Sequence, residues 1–222
     1  MTPDERWLDA VWPLVSASLP PAPAQVLEIG CGSLGGFVPR LRDAGYEATG
    51  VDPEAPAGPW FRQSEFDTDS APAPAAAIVA CTSLHHVADL PRTLAAMDAA
   101  LLPGGTVVVI EWARERFDEA TARWCQSRLS TDGEDSWLYQ LLGEWQESGQ
   151  QWADFCRAWA DAEQIHTGRE VLDGLGARFD TVHLSYGPYL FPDLAGLEAD
   201  EQAAIDSGQI AATRIQYQGR KR

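Results

Sequence analysis

A single lysine, Lys221, stands in this chain of 222 residues. Lys and Arg together number 16 against 33 Asp and Glu, a net charge of −17. So acidic a chain is a poor match for a phosphate backbone, whose protein partners bind it mainly through Lys and Arg, and nucleic acid is not an expected partner. The only basic cluster, Arg220-Lys221-Arg222, reads as a solvated end. Cysteine is also sparse. Cys31, Cys81, Cys125 and Cys156 lie far apart without a C-x-x-C pair, which excludes the usual zinc and disulfide frameworks and makes a reducing cytoplasm the expected compartment. No window has the length and apolarity of a membrane span, and Asp4, Glu5, Arg6 and Asp9 interrupt the first residues in a way no secretory signal does. No membrane partner is expected. What the chain does have is 45% hydrophobic residues and nine Trp, enough for one well-packed domain. Its abundance of Ala and Pro beside so little Lys is the composition of a GC-rich bacterial genome.

Apolar periodicity divides the chain into three stretches. Residues 4–19 carry Trp7, Leu8, Val11, Trp12, Leu14 and Val15 near helical spacing, an amphipathic helix or pair of turns that Pro20, Pro21 and Pro23 stop. Strand and helix then alternate. Gln25–Ile29 reads as a strand, Gly30–Gly36 as a glycine-rich turn, Phe37–Ala44 as a helix closed by Gly45, and Tyr46–Val51 as a second strand ending at Asp52. Trp60–Phe66 and Ala76–Cys81 supply two more strands, with the biased tract Ala71–Ala77 an ordinary loop. Asp89 caps a helix over Leu90–Leu101, and the β-branched run Thr106–Ile110 is a fifth strand. Such alternation predicts an open, mostly parallel sheet with helices on both faces. Residues 114–165 then read as wholly helical, with Trp145, Trp152 and Trp159 forming one stripe on a long helix. A helix at Arg169–Leu175, a strand at Phe179–Tyr186, a short acidic helix at 198–207 and a last strand at Gln209–Gln218 complete the pattern. There is no internal repeat.

The residues that point to chemistry sit at strand ends. Val26 to Gly36 reads V-L-E-I-G-C-G-S-L-G-G, where glycines let backbone approach a ligand closely. The spacing of Gly30, Gly32 and Gly35 also fits the dinucleotide fingerprint, so this turn alone leaves a nicotinamide-dependent oxidoreductase open. Asp52 closes the second strand about twenty residues later, facing the crevice where ligands of open α/β sheets bind, and a carboxylate there can accept both ribose hydroxyls. Glu28 before Gly30-x-Gly32, Asp52, then Glu65-Phe66-Asp67, Thr82-Ser83-Leu84-His85-His86-Val87, and Leu101-Leu102-Pro103-Gly104-Gly105 follow in order. That ordered set, spanning residues 26–110, resembles the motifs of class I S-adenosylmethionine-dependent methyltransferases.

The resemblance implies a Rossmann-like sheet of seven strands, mostly parallel with the last antiparallel, and a helical insert acting as a lid. It implies one domain over 1–222: a helical lid at 1–20, a cofactor-binding core at 24–111, a substrate-covering insert at 112–166 and the end of the sheet at 167–222. S-adenosylmethionine is the implied cofactor and S-adenosylhomocysteine the product. Gly30 and Gly32, with Cys31, would line the methionine end, and Glu28 would position it. Asp52 and Pro53 would lie at the ribose, Phe66 and Asp67 would flank the adenine, and Thr82 and Ser83 would lie near the sulfonium. The sequence departs from the family pattern where the proline-rich Pro53–Pro59 replaces the usual helix after the second strand. The expected acceptor is a small molecule, methylated at O or N. His85 and His86 are the candidate general bases or else pack beside the cofactor, and Glu111 either touches substrate or is a plain polar strand end. No metal is expected. Trp124, Trp137, Trp145, Trp152 and Trp159 either line an apolar pocket or seal the insert, and Tyr186 and Tyr189 are further pocket candidates. A fold retained for sensing or scaffolding, without turnover, is the alternative from another class. Composition says nothing of oligomeric state.

Overall fold

The structure, a computed structural model, describes residues 2–67, 74–129 and 136–222. Helix α1 (Pro3–Ser18) starts from a capping box between Thr2 and Glu5. The sheet is then laid down as β1 (Gln25–Ile29), β2 (Glu47–Val51), β3 (Phe61–Arg62), β4 (Ala75–Cys81) and β5 (Leu101–Trp112). Helix α2 (Val38–Asp43) follows β1, and α3 (Leu90–Ala100), capped by the Asp89 side chain, leads into β5. Three helices make the insert: α4 (Glu119–Gln126), α5 (Trp137–Ser148) and α6 (Trp152–Ala162). Helix α7 (Gly168–Arg178), strand β6 (Phe179–Gly187), helix α8 (Glu198–Asp206) and strand β7 (Arg214–Lys221) end the chain.

The strand order is β3-β2-β1-β4-β5-β7-β6, with β7 antiparallel to both of its neighbours and the remaining pairs parallel. This is the expected Rossmann-like, seven-stranded sheet. Its central strands are buried on both faces, and residue alternation sorts them into two cores. Leu27, Ile29, Ile78, Val107 and Val109 pack with Leu94, Met97, Val171 and Leu175, under α3 and α7. Val26, Val79, Val108 and Ile110 pack with Val11, Val15, Phe37 and Leu41, under α1 and α2. The order of connection reverses between β1 and β4, and such a switch point opens a crevice beyond the carboxyl ends of the strands.

Several sequence expectations need correction. The third strand is two residues, not Trp60–Phe66, because the chain leaves β2 at Arg62. The fifth strand begins earlier, at Leu101, and regains register past an irregularity that includes Gly104 at φ +72°. The tract Ala71–Ala77 is not a loop throughout: Ala75–Ala77 open β4, while 71–73 lie outside the described residues. The single long helix is broken at Gly149, whose left-handed φ of +64° ends α5, so Trp145 and Trp152 meet edge to face at 4.8 Å across the corner. The last strand is Arg214–Lys221 rather than Gln209–Gln218. The alternation at Ile210 and Ala212 comes from coil buried against its surroundings, Ile210 with the aromatic insert. The basic end is not simply solvated either. Arg220 and Lys221 pair in the sheet, Lys221 Nζ donates to the Leu101 carbonyl, and Arg222 donates to Asp180.

Candidate active site

The crevice at the switch point is a cavity of about 450 Å³ walled by the turn after β1, the ends of β2 and β4, and α1. The turn is held from both sides. Gly30 N–H donates to the Val51 carbonyl and Ser83 Oγ donates to the Ile29 carbonyl, which ties β1 to β2 and to the turn after β4. Gly30 has φ +76°, and a Cβ there would sit 2.1 Å from Ser83 Cβ. Gly32 differs: at φ +59° it has nothing within 4 Å of where a Cβ would stand. One glycine is required by the fold, and the other leaves open space beside the cavity.

Two carboxylates brace this turn. Asp52 Oδ2 accepts from Gly32 N–H at 3.0 Å and Oδ1 from Glu54 N–H at 2.7 Å. Glu28 is buried and both its oxygens accept from Phe37 N–H, at 3.0 and 2.8 Å. Burial, with a smaller push from the Asp52 charge, raises the Glu28 carboxyl to about 8 against the pull of the Phe37 and Val38 amides. The folded state therefore holds a proton on Glu28 that the unfolded chain releases near 4.5, so stability falls as pH rises from about 4.5 through 8. Glu28→Gln removes that loss, which is on the order of a few kcal/mol. Melting curves of the two proteins should separate in favour of Glu28→Gln between pH 5 and 9, whereas parallel curves would contradict the assignment.

A second cavity, of about 390 Å³, adjoins the first: Asp4, Trp7, Thr82 and His86 line both. Trp7, on α1, donates Nε1–H to Cys81 Sγ at 3.3 Å and stands edge to face with Tyr189 at 4.9 Å. Thr82 holds a left-handed φ of +52°, strained for a β-branched residue. Behind it lies a compact polar pair. His85 Nδ1 is 2.5 Å from Glu111 Oε2, and Glu111 also accepts from the amides of Leu84 at 2.7 Å and Trp112 at 2.7 Å. Burial works against the Glu111 carboxylate, but His85 and these amides outweigh it and hold its pKa below the usual value. Glu111 is thus neither exposed to substrate nor a plain strand end. It fixes His85 with Nδ1 bonded and leaves Nε2 without a protein partner among the described residues. His86 lies 4.1 Å away, centroid to centroid, and burial, followed by the neighbouring His85, lowers it to about 4.

Of the residues named from sequence, Glu28, Gly30, Cys31, Gly32, Asp52, Pro53, Phe66, Thr82, Ser83 and His86 line the first cavity, and His85 lines the second. Asp67 is not brought to the wall; its carboxylate lies 3.7 Å from Arg92, while its neighbours Glu65 and Phe66 face the cavity. The five Trp divide. Trp137 and Trp159 line the second cavity, while Trp145 and Trp152 pack together, Trp152 donating to the Phe117 carbonyl, and Trp124 is buried beneath Arg128. Tyr189 lines the cavity and stacks on Trp112; Tyr186 instead lies under the Arg116 guanidinium. Sequence reasoning did not single out Trp112, Glu163 or Asp193 as lining residues, because they come from separate elements with no periodic relation. Among the described residues no group of His, Cys, Asp and Glu is arranged to hold a metal, and no helix is long and apolar enough to cross a membrane.

This geometry has relatives. The S-adenosylmethionine-dependent methyltransferase from Mesorhizobium loti is 18% identical, with a TM-score of 0.57 over 96% of this chain and 100% of that one. Geranyl diphosphate C-methyltransferase from Streptomyces coelicolor is 16% identical, with a TM-score of 0.56 over 98% and 82%. The N-methyltransferase NodS from Bradyrhizobium japonicum is 17% identical, with a TM-score of 0.54 over 99% and 88%. At these identities the likeness is one of fold. No curated protein matches the sequence. The methyltransferase domain family matches residues 4–173, more than half of the chain, and to that family the chain belongs.

Proposed function

We propose that this protein transfers a methyl group from S-adenosylmethionine to an oxygen or nitrogen of a small molecule, with His85 as general base. The first cavity suits the cofactor: Gly32 leaves room beside a backbone turn, and Asp52 is pinned by two amides with further lone pairs available for hydroxyl donors. Gly30, Cys31, Gly32 and Glu28 would hold the methionine end, Asp52 and Pro53 the ribose, Phe66 the adenine, and Thr82 and Ser83 the region of the sulfonium. Asp67, paired with Arg92, acts on the adenine only through its neighbours. When bound, the cofactor supplies an activated methyl on a positively charged sulfur.

The observation that carries the reading is the His85–Glu111 pair on the wall of a second cavity that shares Thr82 and His86 with the first. Glu111 keeps the proton on Nδ1, so Nε2 is free to take one from a hydroxyl or an amine. The buried ring of Trp112 and the partly buried rings of Trp159 and Tyr189 line the cavity around it and would limit its water. Asp4 and Trp7 of α1 and Trp137 and Trp159 of the helical insert line the second cavity, which supports reading residues 1–20 and 112–166 as a lid over it. The test is to incubate the protein with methyl-labelled S-adenosylmethionine and a panel of aromatic alcohols and amines. The expected result is a methylated product formed in equal amount with S-adenosylhomocysteine. Binding of the cofactor with no product across the panel would favour a sensor or scaffold instead.

A further inference from the structure

The second cavity has a composition that methyl transfer alone does not require. Beside His85 and His86, five Trp and Tyr rings line it: Trp7, Trp112, Trp137, Trp159 and Tyr189. Three carboxylic acids, Asp4, Glu163 and Asp193, line it too, and among the described residues no Lys or Arg does. Aromatic faces carry the negative end of a quadrupole and attract cations, most strongly where water is excluded. Carboxylates beside them deepen the same potential, which would repel an anionic ligand.

Asp193 makes the case specific. It is 6% exposed, and among the described residues it has no ion-pair partner. Ser136 and Trp137 hydrogen-bond it and the Arg6 charge favours it, while burial and the Asp4 charge work against its ionisation and bring it up to about 6. A further positive charge in the cavity would favour its ionised form.

We propose that this cavity takes a protonated amine carried on an apolar or aromatic body, and that the amine nitrogen is the methyl acceptor; this deepens, and rests on, the methyl-transfer reading above. The rings and carboxylates gather the cation. One N–H proton passes to His85 Nε2, which frees the nitrogen lone pair. That pair forms the N–C bond as the C–S bond breaks with its electrons left on sulfur, so the positive charge moves from sulfur to the methylated nitrogen.

Calorimetry on the full chain saturated with S-adenosylhomocysteine tests the proposal. The probes are phenethylamine, benzyltrimethylammonium, 2-phenylethanol and 3-phenylpropionate. Benzyltrimethylammonium keeps the charge but has no lone pair to methylate, so its binding reports recognition apart from turnover. Both cations should bind at least about tenfold tighter than the alcohol, with the carboxylate weaker still. Asp193→Asn and, separately, the exposed Glu163→Gln should each cut that preference by about threefold or more while S-adenosylhomocysteine affinity stays unchanged. Equal binding of cation and alcohol, tighter binding of the carboxylate, or no binding of either cation overturns the amine proposal and leaves the methyl-transfer reading standing. Failure of wild type to bind S-adenosylhomocysteine would instead overturn that reading, and the proposal with it.

Discussion

Gly30→Ala should lower the thermal midpoint by roughly 5–15 °C and abolish S-adenosylhomocysteine binding. The size follows from two additive causes. At φ +76° an L side chain costs about 1–2 kcal/mol. The new Cβ would also stand 2.1 Å from Ser83 Cβ, an overpacking that costs a further ~1–3 kcal/mol as the strand ends are forced apart. The same displacement breaks the Ser83–Ile29 bond that aligns β1 with the turn after β4. Gly32→Ala is the informative companion. Its Cβ meets nothing within 4 Å, so only the backbone term of about 1–2 kcal/mol applies and the protein stays folded. If the open space there is ligand space, binding still falls at least about tenfold, because the methyl occupies it. Equal loss of stability in the two variants, or unimpaired binding by Gly32→Ala, would contradict this division of roles.

His85→Gln should reduce turnover of an amine or hydroxyl acceptor by about 10²–10⁴ while leaving cofactor affinity unchanged. The geometry behind this is the 2.5 Å contact of Nδ1 with Glu111, which is itself fixed by the amides of Leu84 and Trp112. A residue that served only to pack beside the cofactor would show its loss in binding rather than in kcat. His86→Gln provides the contrast. Burial and the neighbouring His85 lower His86 to about 4, so it is neutral at physiological pH and a feeble proton acceptor there. Its replacement should cost less than about tenfold. A larger effect from His86→Gln than from His85→Gln would reverse the assignment of the base.

The fold was legible because it rests on local patterns. Alternating apolar strands and their glycine and proline breaks mark the central strands β1, β2, β4 and β5 and show why both faces are covered. That Glu28, Gly30, Gly32 and Asp52 would meet at one cavity was legible for the same reason: they belong to two adjacent strand ends whose spacing is short. Harder to see was anything decided by packing between distant segments. Glu111 could be placed at a strand end, but its partnership with His85 depends on the turn after β4 folding across to β5. The seven-residue spacing of Trp145, Trp152 and Trp159 looked like one helix because period alone cannot register the left-handed Gly149 between them. Ile210 and Ala212 alternated like a strand while lying in coil, since a buried coil also sorts its side chains by depth. Asp4, Asp193 and Trp7 meet at the second cavity from α1 and from the segment after β6, a convergence that no linear spacing encodes.

The central claim, that the glycine turn and Asp52 form a site for S-adenosylmethionine, is tested most directly by calorimetric titration of the wild-type chain and Asp52→Ala. The ligands are S-adenosylmethionine, S-adenosylhomocysteine and both nicotinamide cofactors. The account predicts micromolar-range binding of the two adenosyl ligands, a loss of about a hundredfold in Asp52→Ala where a carboxylate no longer accepts from bound hydroxyls, and no nicotinamide binding. Binding of a nicotinamide cofactor, binding of nothing, or full adenosyl affinity in Asp52→Ala would contradict it.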